Sequence, residues 1–577
     1  MRGSRGTRTY YRLSQHDETP TVVPMRVAEA EAERGTSPPR RSTIIPSPSR
    51  LFVLLCLLLL AAGLVARLVV AWNLPHPGHG DISFYYTVAE NMAQGRGAVV
   101  DYRWHYLGLN HPANPATSTA TITHPAFDYW LPLTSLIISG SMLVFGTSLF
   151  AALIPSILFG VGLAAVTYGL ATSYTPSRFV AVSSAVLVFL LPTPFFFSLQ
   201  TDTTIYYTVF ASLSLLAMVR GMNAPRWFLL AAVGAGLAHL TRQDGVLLFG
   251  LLAGVVLFSP HPRRTRAAVL LAGTGIYLLI LAPLLWYNVQ TFGALSPPGV
   301  SSVLFLTNYE DLYSFARDRS LHSYLQWGIG NILWSKLDAI PQHIRFLRTF
   351  LGLVLWPFVI AGLFDVLWSK EQATHRKTFC AIHGLFLGIL ILFFALVATF
   401  PGVGSFSRSG VALVPFLCVV AIDTIHRRLP SQRFAIALVV VLLVFTGGRS
   451  IVKAHTMLRE SETMAQQLET VEQIIRRDAS QTGEERIVIM TRLPWQVYHS
   501  MRLPAIQIPN DDLETIHDVA RQFGATHLLL PAPRASLWPL YTGEVEDPRF
   551  PLVARAPDSG FTVFRIAYPH GNGNGED

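Results

Sequence analysis

Apolar residues run in long blocks along most of this chain, and polar residues interrupt them only briefly. The blocks at 51–72 and 385–400 approach or exceed the length of about 20 residues that a helix needs to cross the hydrocarbon of a bilayer. Reading all such blocks as helices puts candidate spans at 51–72, 149–171, 179–195, 203–219, 226–241, 245–259, 267–287, 348–368, 378–400, 409–426 and 433–450. The stretch 129–146 is also apolar and reads either as a further span or as a helix lying along the membrane surface. Two long segments, 73–148 and 288–347, separate spans, and after 450 the pattern changes altogether. There a Glu-, Gln- and Arg-rich stretch, 455–478, predicts a helix. The short runs 486–490, 505–508, 527–530 and 561–566 read as strands, so 451–577 predicts a small α/β domain.

Basic residues decide between the two readings of 129–146. If it does not cross, one membrane face receives Arg40, Arg41 and Arg50, then Arg178, Arg220 and Arg226, then Arg263, Arg264 and Arg266. The same face receives Lys370, Arg376 and Lys377, and finally Arg427, Arg428 and Arg433. Short basic loops gather on the cytoplasmic side. This favours about eleven crossings, with 129–146 as a juxtamembrane helix. The first loop (73–148), the second long loop (288–347) and the C-terminal domain then share the outer face. Residues 1–50, rich in Arg, Thr, Ser and Pro, read as a disordered cytoplasmic tail. The block that follows is too long and too far along to be a cleaved signal peptide and reads as a signal anchor. The domain plan is therefore a tail over 1–50, a transmembrane domain over 51–450 and an extracytoplasmic α/β domain over 451–577.

Composition agrees with this plan. The chain is 51% hydrophobic and 14% charged, against about 25% charged in an average soluble domain. The formal charge of +9 is scattered through short loops between apolar blocks, which argues against a nucleic-acid partner. Cys56, Cys380 and Cys418 each fall inside a predicted span, and their spacing suits neither a disulfide framework nor a zinc site.

Candidate chemistry collects at the outer helix ends. Asp81 follows the first span, His124-Pro125 precedes 129–146, and Asp202 lies between the third and fourth spans. Arg242 and Asp244 share the short turn between the fifth and sixth; Asn288 ends the seventh and Arg408 opens the tenth. A charged turn at that depth is costly unless it is paired or used. An arginine can grip a phosphate through two parallel hydrogen bonds, and a carboxylate can take a proton from a hydroxyl. Each residue also has a structural reading. Asp81 can cap a helix over 82–94 and Asp202 a helix after 203; Arg242 and Asp244 can form an ion pair; His124 can be a loop residue. Phe195–Phe197 with Tyr206 and Tyr207 read as aromatic anchors at the membrane interface.

At these residues the chain resembles the GT-C superfamily of membrane glycosyltransferases, and within it glycosyltransferase family 39: it is similar to protein O-mannosyltransferases and the lipid A aminoarabinose transferase. The resemblance covers roughly 51–430. It rests on Asp81 with the helix from Tyr85 to Met92 and its Gly95-Arg96-Gly97 stop. It rests also on Thr123-His124-Pro125 running through Leu131-Pro132-Leu133 to Phe145-Gly146, on Asp202 ahead of a span ending at Arg220, on 236–242, and on 283–293. Asp81 is followed by Ile82 where the family often has a second acidic residue, and His124-Pro125 stands where a Pro-Pro pair is common.

The resemblance implies an α-helical polytopic fold with outer juxtamembrane helices. It implies transfer of a hexosyl or pentosyl group from a polyprenyl-phosphate-linked donor to an unidentified acceptor, in a bacterial plasma (inner) membrane. Asp81 matches the family's catalytic base, with Asp202 as a second catalytic candidate. Arg242, His124 and Arg408 are the candidates for the donor phosphate; Tyr85, Asp244 and Asn288 are those for substrate contact. No metal ligand and no certain cofactor is assigned; a divalent cation is left open. The rival readings are a transporter or flippase of lipid-linked sugars, and a membrane-anchored scaffold whose C-terminal domain binds a partner.

Overall fold

The computed structural model describes residues 50–568 apart from 79, 108, 110–120, 370–372, 398–404, 532–534 and 557–559. The expected tail, with Arg40 and Arg41, and the loop residue Lys370 lie outside the described residues.

Each predicted span contains a helix. The described residues open with α1 (Arg50–Asn73) and α2 (Asp81–Ala93). The short strands β1 (Val99–Val100), β2 (Tyr102–Arg103) and β3 (His124–Pro125) lead to α3 (Leu133–Phe145). Then come α4 (Leu149–Tyr174), α5 (Arg178–Leu190), α6 (Pro192–Phe197), α7 (Thr203–Gly221) and α8 (Trp227–Thr241). Next are α9 (Val246–Leu257) and α10 (Arg263–Phe292), followed by α11 (Pro298–Ser302) and α12 (Leu321–Gln326). After these stand α13 (Ile329–Leu351), α14 (Trp356–Trp368), α15 (Thr374–Leu396), α16 (Ser405–Ser409), α17 (Val414–Arg428) and α18 (Gln432–Thr482). Among the described residues, seven helical stretches are long and apolar enough to cross a bilayer, and eight if the bent pair α13–α14 forms one span. The helices over 133–145, 178–190, 227–241 and 243–257 are apolar but shorter.

Prolines and glycines set where the pattern breaks. The predicted span 179–195 is two helices, because Pro192 lacks an N–H and disfavours helical geometry at Leu191, which is extended. The predicted span 348–368 begins inside α13, which meets α14 at 110°. The break passes through Gly352, whose φ of +69° suits only a residue without a Cβ. Along α13 an exposed apolar stripe runs through Leu333, Leu337, Ile340 and Ile344.

Three aromatic residues expected at the interface are interior instead. Phe195, Tyr206 and Tyr207 are buried. α7 packs between α4 and α8, and the Tyr206 hydroxyl shares a 2.8 Å hydrogen bond with Ser156 of α4.

α18 runs unbroken for 51 residues, from the last apolar block into the C-terminal region, so position 451 falls in mid-helix. Beyond it stand β4 (Ile489–Thr491), α19 (Pro494–Met501), β5 (Ala505–Gln507), α20 (Leu513–Phe523) and β6 (His527–Leu530). The chain continues with α21 (Trp538–Thr542), β7 (Leu552–Ala556) and β8 (Phe561–Arg565). The six-stranded sheet has the order β2-β5-β4-β6-β8-β7. The first four strands are parallel; β8 runs antiparallel to β6, and β7 antiparallel to β8. Its edge strand β2 comes from the first loop, pairing Tyr102 with Ala505 and Arg103 with Ile506.

Candidate active site at the helix ends

Asp81 is the first residue of α2, behind Gly80, whose φ of +65° starts the helix. Its carboxylate does not cap the helix; it forms an ion pair with Arg408 of α16. The Arg408 guanidinium also lies 3.6 Å from Asp202 Oδ2, so one cation stands between two carboxylates. Thr201 Oγ1 donates to the carbonyl of Ile82 at 2.6 Å and ties the loop bearing Asp202 to the start of α2.

Asp202 is buried and caps α7: its Oδ1 accepts from the Thr204 N–H at 3.2 Å and from Thr203 Oγ1 at 3.0 Å. Arg242 follows α8 with an extended backbone. Its Nε donates to Asp244 Oδ1 at 3.1 Å and to Ser409 Oγ at 3.2 Å. The other two nitrogens reach Thr203 Oγ1 and the Ser405 carbonyl, both at 3.4 Å. Five of the eight expected site residues therefore gather where α2, α7, α8 and α16 meet: Asp81, Asp202, Arg242, Asp244 and Arg408. The turn that carries two of them is tight. A Cβ on Gly245 would lie 2.3 Å from the backbone nitrogen of His239. Tyr85 is buried beside this group; burial first, and then the charge of Asp202, push its phenol far above its ordinary pKa, so it remains a hydrogen-bond donor.

His124 and Asn288 stand apart from this group. Asn288 Nδ2 donates to the Leu295 carbonyl at 2.9 Å and ties off the end of α10. His124 is paired through β3 with Val100, and its Nε2 lies 3.9 Å from Asp128, which also faces His105 at 3.4 Å. Burial and then Arg103 push the His124 imidazole down to about 4. Burial alone would raise Asp128, but His105, His124 and Arg103 hold it down at about 2. Sequence reading passed over Arg103, His105 and Asp128. The one available signal was Asp128 standing four residues after His124. The two groups are joined by Gln243, whose Nε2 donates to the Tyr129 carbonyl at 3.0 Å.

The C-terminal domain grips the far side of α2. His499 Nε2 lies 2.8 Å from Thr87 Oγ1, which itself donates to the Ser83 carbonyl; the imidazole is therefore the donor. Arg502 reaches Glu90 at 3.4 Å, and Tyr498 donates to Asp101 at 2.9 Å. Among the described residues no group of three or more His, Cys, Asp or Glu is arranged to hold a metal ion.

Residues 123–287 match the family model described as dolichyl-phosphate-mannose-protein mannosyltransferase. A sequence comparison with curated proteins finds no match. Among solved structures, the chain is similar to ArnT from Cupriavidus metallidurans bound to undecaprenyl phosphate. That likeness has 15% identity and a TM-score of 0.56, and covers 89% of this chain and 98% of that one. The apo state of the same protein aligns at 14% identity and a TM-score of 0.54, over 88% and 97%. The archaeal oligosaccharyltransferase AglB from Archaeoglobus fulgidus, in complex with an inhibitory peptide and a dolichol-phosphate, aligns at 12% identity and a TM-score of 0.52, over 83% and 69%. Identities this low speak for the fold, and the family match covers 123–287 alone. Residues 123–287 are thus similar to that mannosyltransferase family, and the chain as a whole shares the fold of ArnT and AglB.

Proposed function

We propose that the protein transfers a hexosyl or pentosyl group from a polyprenyl-phosphate-linked donor to an acceptor hydroxyl at the outer membrane face. The observation that carries this reading is the Asp81–Arg408–Asp202 arrangement with Arg242 beside it. Asp202 and Asp244 are buried and committed to neighbours, whereas the Asp81 side chain is 25% exposed. Asp81 is thus the carboxylate an acceptor can reach. It takes the hydroxyl proton as the acceptor oxygen bonds to the anomeric carbon and the bond from that carbon to the phosphate oxygen breaks. The donor phosphodiester, with one negative charge, leaves as a polyprenyl phosphate monoester carrying a second. Arg242 and Arg408 stabilise that developing charge. One direct displacement inverts the anomeric centre. Asp202 holds Arg408 and the start of α7 in place. The lipid tail of the donor supplies affinity of about 0.8 kcal/mol per buried CH₂.

The placement of basic residues supports the outer face, since Asp81, Asp202 and Arg242 lie at helix ends opposite Arg220, Arg263 and Arg427 along the chain's alternating spans. The polar site at helix ends, not at mid-span, favours transfer over a transporter. Membrane vesicles containing the protein, acceptor and a radiolabelled polyprenyl-phosphate sugar test this. Wild type releases polyprenyl phosphate, and Asp81→Asn lowers the rate by roughly 100-fold or more. Full activity in Asp81→Asn sinks Asp81 as the base.

A further inference from the structure

The transfer step described above makes no use of His105, His124 and Asp128. The three come together from separate parts of the first loop. His105 follows the edge strand β2, His124 lies in β3, and Asp128 stands at the start of the segment leading to α3. Both imidazole Nε2 atoms face the same carboxylate oxygen, at 3.4 Å for His105 and 3.9 Å for His124, too far for good hydrogen bonds. Both Nε2 atoms and Oδ1 of Asp128 are buried without a hydrogen-bond partner. His105 and His124 are only 1% and 7% exposed. Buried polar groups are almost always satisfied by protein, water or ligand, so three orphans meeting at one point mark a site for something small and polar. The residue before Asp128 is strained as well. Phe127 has a φ of +67°, a conformation that bulky side chains adopt only when their surroundings impose it and that concentrates at ligand sites.

The hydrogen bonds behind the cluster fix what it can receive. His105 Nδ1 accepts from the Leu107 N–H at 3.1 Å, so its proton is on Nε2, which donates. His124 Nδ1 lies 3.0 Å from the Ile122 carbonyl and must donate to it, so its Nε2 accepts when the ring is neutral. Asp128 Oδ1 also accepts. One donor and two acceptors complement a hydroxyl, which both gives and takes a hydrogen bond. They do not suit a phosphate, which at neutral pH would meet the Asp128 charge and the lone pair of His124. The half-buried ring of Tyr129 flanks the cluster, 6.1 Å from the His105 ring, and the Tyr129 carbonyl is held by Gln243, the neighbour of Arg242.

We propose that His105, His124 and Asp128 form a subsite that grips a hydroxyl of the donor's sugar, next to the arginines that take its phosphate. This rests on the transferase reading above. It assigns His124 to the sugar instead of the phosphate.

The test measures binding by the full-length protein in lipid nanodiscs. The probes are undecaprenyl phosphate alone, the same lipid phosphate carrying mannose, glucose, galactose or arabinose, and the monodeoxy forms of whichever sugar lipid binds best. Wild type is expected to bind one sugar lipid at least about tenfold more tightly than the bare lipid, and to lose that preference for one monodeoxy form. Asp128→Asn and His105→Gln are expected to abolish the preference while bare-lipid affinity stays within about threefold. Variants that keep the preference, or a wild type indifferent to every sugar and every deoxy position, overturn the subsite. The monodeoxy series on wild type decides the matter if the variants fail to fold. Failure of wild type to bind even the bare lipid phosphate counts instead against the transferase reading.

Discussion

Replacing Arg242 by Lys keeps a positive charge at the site and removes the planar fork that carries it. In the structure that fork touches four partners: Asp244 at 3.1 Å, Ser409 at 3.2 Å, and Thr203 and the Ser405 carbonyl at 3.4 Å. They come from the turn itself, from the start of α7 and from α16. An ammonium is a compact charge with three donors on a flexible stem, and it cannot meet partners so widely spread. The Lys variant should keep Asp244 and lose at least one bond towards α16 and one towards α7. Hydrogen bonds to charged groups contribute about 1.5–3 kcal/mol each, and the two longer contacts belong at or below the lower end. Losing the two costs roughly 2–3 kcal/mol of the organisation that, on the proposed reading, aims positive charge at the leaving phosphate, or about 30- to 150-fold in rate. Removing one aimed donor in comparable enzyme sites lowers kcat by about 100- to 1000-fold, which agrees.

The assay is release of polyprenyl phosphate from labelled donor in proteoliposomes, with donor well below KM so that kcat/KM is read, and with thermal unfolding followed in parallel. Arg242→Lys should unfold near the wild-type temperature with kcat/KM down about 100-fold. A Lys variant within about threefold of wild type would refute the reasoning, since charge alone would then suffice and the four directed contacts would be incidental.

Three further outcomes follow from the packing and electrostatics. The folded pKa of His124 is depressed from 6.5 to about 4, so its contribution to stability is complete above pH 6.5 and is lost as pH falls towards 4. The unfolding temperature should drop across that window, and His124→Gln should flatten the slope. Arg67, fully buried in α1, donates to Ser198 Oγ and to the Gly63 and Phe189 carbonyls at 2.6–3.0 Å, between the rings of Phe189 and Phe195. Arg67→Leu strands those acceptors and should destabilise the protein by about 3 kcal/mol, read as a lowered unfolding temperature in detergent. Gly245→Ala puts a Cβ 2.3 Å from the His239 nitrogen, so the Arg242–Asp244 turn must open; activity should fall further than the thermal stability loss of about 1–3 kcal/mol accounts for.

Local rules were enough to place a helix in each apolar block and to pick out charges that the fold gathers, whereas the described residues hold seven or eight helical stretches long enough to span and the blocks predict eleven. A bilayer helix needs only a long apolar block, and Asp81, Asp202, Arg242 and Arg408 were conspicuous as charges at block ends. What escaped depends on partners far away in the chain. Tyr206 and Tyr207 resemble interface anchors by position, but burial between neighbouring helices is not written in a single block. The α18 pattern changes near 450 because the surroundings change, while no proline ends the helix and Gly447 and Gly448 sit within it. Strand β2 is two residues long, too short for any alternation to register.

The short strand β2 has the largest consequence for the site. By joining Tyr102 and Arg103 to β5, it makes the first loop part of the C-terminal sheet, and it fixes Trp104 and His105 immediately downstream. The same loop begins with α2, whose first residue is Asp81 and whose Thr87 and Glu90 are held by His499 and Arg502. The C-terminal domain is therefore attached to the first loop both beyond Asp81 along α2 and beside the His105–Asp128 cluster. Burial and the neighbouring Arg502 push His499 down to about 3, so the contact with Thr87 is made by a neutral imidazole and persists through ordinary pH. A domain fastened in this way constrains the helix that presents the carboxylate as well as the cluster beside it. Truncating the chain at the apparent end of the transmembrane region would remove β5 from beside β2 and His499 from beside Thr87, and so disturb the site even though none of the five gathered residues lies in the part removed.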